Sequence, residues 1–104
     1  MEAHIYKVLR APEWAAMHAR GAFAGSPDDL RDGFIHLSTR DQLDTTIARH
    51  FPGERGLIVL EIDATRLSAD LKFEPSRGGA LFPHLYADLP MSAVLRAAAP
   101  GAFS

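Results

Sequence analysis

The sequence predicts a single α+β domain with a mostly antiparallel β-sheet and two main helices. Two observations lead there. The chain has 104 residues, which leaves room for one hydrophobic core and not two. Helix signals gather in the first half and short apolar runs dominate the second. Helices followed by strands, rather than alternating βαβ units, point away from a doubly wound parallel sheet.

Each element has its own sequence reason. His4–Leu9 reads as a first strand. Pro12 suits the first turn of a helix and Gly21 its end, so Pro12–Arg20 reads as helix, with Trp14 and Met17 on one face. Ser26-Pro27-Asp28-Asp29 has a serine cap, a proline at the first helical position and acids at the positive end of the dipole, so a short helix starts here and Gly33 closes it. Phe34–Leu37 is the second strand. Thr39-x-x-Gln42 is a capping box, and Leu43, Ile47 and Phe51 follow at four-residue spacing, giving a helix from Arg40 to near Pro52-Gly53. Gly56–Ile62 is nearly all apolar and reads as a central strand. Asp63–Leu67 is a turn or short helix, Leu71–Glu74 a strand, Pro75–Gly79 a loop, and Leu81–Tyr86 a strand. Met91–Ala98 fits either a last strand or a short helix.

Composition excludes several functions. With 47% hydrophobic and 23% charged residues the chain is an ordinary globular one. A formal charge of −2 gives no bulk attraction for nucleic acid, so neither DNA nor RNA is an expected partner. The absence of cysteine removes disulfides, thiolate metal sites and a cysteine nucleophile, and fits a reducing compartment. MEAHIYKVLR carries no long apolar stretch of the signal-peptide kind, and no run approaches the roughly 20 residues that span a bilayer, so the expected location is the cytoplasm with no membrane partner. Oligomeric state leaves no mark in the sequence.

The chemistry centres on FIHLST at Phe34–Thr39 and FPHLY at Phe82–Tyr86. Each sets a histidine, His36 or His84, in a short apolar strand, where an imidazole costs free energy unless it is hydrogen-bonded. Strand alternation places His36 on one face with Phe34 and Ser38, and His84 on one face with Tyr86. Such histidines are either structural or part of a cleft. Ser76-Arg77-Gly78-Gly79, following Glu74, has two readings: adjacent glycines admit an anion to the backbone and Arg77 can pair with phosphate, or the loop is a hairpin turn. Ser38, Thr39 and the start of the Arg40 helix make either an anion site or a plain cap. A zinc set of His36, His84 and Glu74 has no supporting ligand spacing, and no nucleophile elbow marks a serine hydrolase.

The residues IYKV, Trp14, DGFIHLST, GLIVLEID and SRGGALFPHLY resemble domain of unknown function 952, a bacterial and plant family, from Ile5 to about Val94. That family is similar in fold to the ADP-ribosyltransferases and to the catalytic lobe of RNA 2′-phosphotransferases. Its matching segments here are Ile35–Ser38, Leu57–Ala64, Phe73–Leu81 and Phe82–Pro90. The resemblance implies an ADP-ribosyltransferase-like split sheet and a cleft for NAD, ADP-ribose or a related phosphorylated ligand. It also departs from those enzymes. Lys7-Val8-Leu9 follows Tyr6 where they carry His-Gly-Thr, His84 lies nearest their late-strand glutamate, and the Arg-His lobe of the phosphotransferases has no counterpart.

Two classes of function follow. In the first, an NAD-using transferase or glycohydrolase takes NAD as cofactor or substrate. Lys7, Ser38, Thr39, Ser76, Arg77, Gly78, Gly79 and Tyr86 then contact the ligand, and His36, Glu74 and His84 handle protons. In the second, a non-catalytic nucleotide-binding or protein-interaction module kept the fold and lost the chemistry.

Overall fold

A computed structural model of the protein describes residues 3–103, with Arg77 described by its backbone alone. Strand β1 (His4–Leu9) pairs antiparallel with β4 (Ile58–Asp63), and β4 pairs antiparallel with β8 (Val94–Ala98). A second antiparallel sheet runs β3 (Ile35–His36), β6 (Leu81–Leu85), β5 (Leu71–Pro75). The three helices are α1 (Ala11–Arg20), α2 (Pro27–Asp32) and α3 (Arg40–His50). A two-residue ladder joins β2 (Ala22–Phe23) to β7 (Leu89–Pro90).

Strands β1 and β4 are covered on both faces, which explains their nearly continuous apolar sequences, whereas β8 is largely exposed. One face carries Ile5, Leu9, Leu60 and Ile62, packed with Met17 of α1 and with Ile35 and Leu85 of the second sheet. The other carries Tyr6, Val8 and Val59, packed with Leu43 of α3 and with Phe103. The predicted central strand is central: β4 lies between β1 and β8.

Several boundaries differ from those predicted. The second strand is Ile35–His36, with Leu37 adding one hydrogen bond to the Pro83 carbonyl at 3.0 Å, and Phe34 lies outside the ladder, stacked on His84. Helix α3 ends at His50, and Phe51 caps it through a hydrogen bond to the Ile47 carbonyl at 2.9 Å. Met91–Ala98 is both of its alternatives in turn, a 3₁₀ turn at Met91–Ala93 and then β8.

Besides this core packing, a backbone bridge ties β1 to the chain leaving β3. The Tyr6 N–H donates to the Ser38 carbonyl at 2.8 Å, and the Ser38 N–H donates back to the Tyr6 carbonyl at 2.9 Å. This bridge fixes β1 against the chain leaving β3, and a cleft opens beside it.

Candidate functional site

The cleft holds about 270 Å³. Tyr6, Lys7 and Val8 of β1 form one side, Asp28, Asp29, Arg31 and Asp32 of α2 another, and His36–Ser38 the base. Thr46, His50 and Phe51 close the α3 side, and Ser76, Phe82 and His84 close the side of the β5–β6 hairpin.

Register brings the histidines together. His36 and His84 are direct cross-strand partners in β3 and β6, so their side chains leave the same face of the sheet. Their ring centroids are 5.7 Å apart at 71°. Phe34 stacks on His84 at 4.0 Å and lies 4.6 Å from His36 and 5.3 Å from the Tyr86 ring.

Each histidine is backed by acid. Around His36 the network is dense. Its Nδ1 is 2.7 Å from Asp29 Oδ1 and its Nε2 is 2.9 Å from Asp32 Oδ2. The same Asp29 oxygen accepts the His36 backbone N–H at 3.0 Å, and Asp29 Oδ2 accepts the Ser26 N–H at 2.9 Å, which completes the α2 capping box. Lys7 Nζ sits 3.0 Å from Asp29 Oδ2 and donates to the His36 carbonyl at 2.9 Å. Both charges of that pair are out of water, with side chains 9% and 2% exposed. Burial raises the Asp29 carboxyl. The His36 bonds and the Lys7 charge outweigh burial and hold it well below the ordinary carboxylate range. Burial pushes the Lys7 ammonium down, and Asp29 offsets part of that.

Around His84 the network is simpler. Nδ1 lies 2.9 Å from Glu74 Oε1, and the Tyr86 hydroxyl donates to that same oxygen at 2.7 Å. Bonds from Tyr86 and His84 lower the Glu74 carboxyl, so it stays ionised and accepts only. The acceptor in turn raises the Tyr86 phenol.

The residues singled out in the sequence divide. Lys7, His36, Ser38, Ser76 and His84 line the cleft. Lys7 is engaged by Asp29, and the Ser38 hydroxyl is 2.8 Å from that of Thr46. Glu74 and Tyr86 stand behind His84 rather than in the wall, and Tyr86 borders a shallower hollow with Leu30 and Phe34. Thr39 is outside the lining, and its N–H donates to the Gln42 side chain at 3.0 Å, the capping reading. Gly78 and Gly79 adopt φ of 67° and 83° in a turn closed by the Gly79 N–H to the Ser76 carbonyl at 2.8 Å, the hairpin reading. The side chain of Arg77 lies outside the described residues. Among the described residues no cluster of three or more histidine, aspartate or glutamate side chains is gathered to hold a metal.

Asp29, Asp32 and Thr46 were not among the residues singled out. Asp29 reads in sequence as a helix cap, a role it also has. The one local signal was the i,i+4 spacing of Asp32 and His36.

Over residues 8–97 the chain matches the family described as Protein of unknown function (DUF952). The chain belongs to that family. Among solved structures it is similar to protein CC0527 from Caulobacter crescentus. The crystal structure is 52% identical with a TM-score of 0.88, covering 91% of this chain and 83% of that one. The solution NMR structure of the same protein is 51% identical with a TM-score of 0.82, covering 92% and 83%. No curated protein matches. Among the described residues no helix is long and apolar enough to cross a membrane.

Proposed function

We propose that the cleft binds a small ribosyl ligand of the NAD or ADP-ribose class, and that the protein is a cytoplasmic NAD-using transferase or glycohydrolase with an ADP-ribosyltransferase-like fold. The observation that carries this reading is the carboxylate-backed imidazole of His84, set 5.7 Å from the braced His36 ring in a concave site. Titratable groups with engineered partners in a cleft are where proton transfer is done. The volume, about 270 Å³, is just below the usual range of small-molecule sites, roughly 300–1,000 Å³. It suits one ring and its sugar, with the remainder of a dinucleotide lying along the mouth. The order of segments that resembles the ADP-ribosyltransferases supports the same ligand class.

A second reading is a binding module without turnover. It is favoured by Lys7, which stands where those enzymes carry a ligand-holding histidine and is committed to Asp29 instead. Calorimetric titration with NAD and ADP-ribose, followed by mass spectrometry of NAD incubated with the protein, tests both. Binding with nicotinamide release supports the enzyme; binding alone supports the module; no binding of either compound refutes the ligand class.

A further inference from the structure

The two histidines are not equivalent. His36 spends both ring nitrogens on carboxylates, Nδ1 on Asp29 at 2.7 Å and Nε2 on Asp32 at 2.9 Å. An imidazole so bridged has no nitrogen left for a ligand. His84 spends only Nδ1, on Glu74. That carboxylate already accepts the Tyr86 hydroxyl and has no hydrogen to give, so the neutral His84 ring carries its hydrogen on Nδ1 and its lone pair on Nε2. Among the described residues no fully buried side-chain nitrogen or oxygen lacks a hydrogen-bond partner. Nε2 has no hydrogen-bond partner among the described residues, and the opening His84 borders is the cleft. Phe34 covers one ring face and fixes the ring plane.

We propose that His84 is the proton acceptor of the cleft, that Glu74 and Tyr86 position it, and that His36 is a brace holding α2 to the sheet. A nitrogen oriented by a carboxylate on its far side, with a lone pair turned to the substrate, is the arrangement a general base needs. This rests on the reading of the cleft as a site for an NAD-type ligand. In that reaction the oxygen of water or of an acceptor hydroxyl bonds to the ribosyl C1′ as the C1′–N bond breaks. The bonding pair leaves with nicotinamide, which departs neutral. The proton of the attacking O–H passes to Nε2, and the imidazolium, facing Glu74, returns it to solvent.

The test has three parts. Long-range ¹H–¹⁵N spectra of the imidazoles should show the hydrogen of the neutral His84 ring on Nδ1, and Glu74→Ala should abolish that preference. A hydrogen on Nε2 would overturn the assignment. Nicotinamide release from NAD should fall about 10²–10⁴-fold in kcat for His84→Gln with KM within a few-fold, and added imidazole should restore part of the rate to His84→Ala. A folded His84→Gln protein with undiminished kcat would overturn the proposal. So would wild-type protein that binds ADP-ribose yet releases no nicotinamide, a result that leaves the ligand reading standing. Failure to bind NAD or ADP-ribose would remove the ligand reading and the proposal together.

Discussion

Replacing Asp29 with asparagine removes the charge that holds the cleft wall together, and one acceptor with it. The Ser26 N–H is bound at Oδ2 and the His36 N–H at Oδ1, so the single amide oxygen of asparagine keeps an acceptor for one of them and its NH2 faces the other. The larger loss is the negative charge between Lys7 and His36, both within about 3 Å of it. Removing one partner of a buried ion pair costs about 3–5 kcal/mol, because the other charge is stranded. Lys7 is 9% exposed at its side chain, so stranding applies here. Burial already favours its neutral amine, which gives the pair an escape and places the expected loss near the lower end, about 3 kcal/mol. A domain of this size has a total of about 5–15 kcal/mol, so the loss is large. Adding Lys7→Met should recover the share due to the stranded charge, since an apolar side chain then fills the space without a charge, and leave the share due to the lost acceptor. Urea unfolding followed by far-UV circular dichroism and Trp14 fluorescence gives both values. A cost below about 1 kcal/mol for Asp29→Asn, or a double variant no more stable than the single one, would refute the reasoning.

Other outcomes follow from the same structure. The Asp29 carboxyl is held below its ordinary value, so its stabilisation is full above the usual carboxylate range and is lost as pH falls through the folded value. The gap in urea midpoint between wild type and Asp29→Asn should therefore narrow as pH is lowered from about 6 to about 3. Leu60, 0% exposed in the central strand, should cost about 2–5 kcal/mol on replacement by alanine, whereas Leu95→Ala, at 52% exposure, should stay within about 0.5 kcal/mol by chemical denaturation. Gly33 ends α2 at φ 86° with open space where a Cβ would stand. Gly33→Ala should then cost about 1–2 kcal/mol from backbone conformation alone, read as a shifted thermal midpoint.

What the sequence disclosed and what it hid follow from range. The cofacial placement of His36 with Phe34, and of His84 with Tyr86, was legible because strand alternation is local. That the two strands are neighbours, with His36 opposite His84, depends on register across some fifty residues of intervening chain, which no local pattern encodes. Asp29 shows why the rest was hidden. Its role in the capping box is written in Ser26-x-x-Asp29, but its reach to Lys7 and His36 exists only once β1, α2 and β3 converge. The β2–β7 ladder was illegible for another reason: two residues carry no periodicity. Two motifs with paired readings, Thr39-x-x-Gln42 and Gly78-Gly79, show the bland geometry, with N–H groups used inside the cap and the turn.

The most direct test of the central claim is an NMR titration of ¹⁵N-labelled protein with ADP-ribose. The account predicts saturable shifts at Lys7, His36, Ser38, Thr46 and His84, which converge on the cleft from four separate segments of chain. Saturable shifts confined to other surfaces, or none at millimolar ligand, would contradict it.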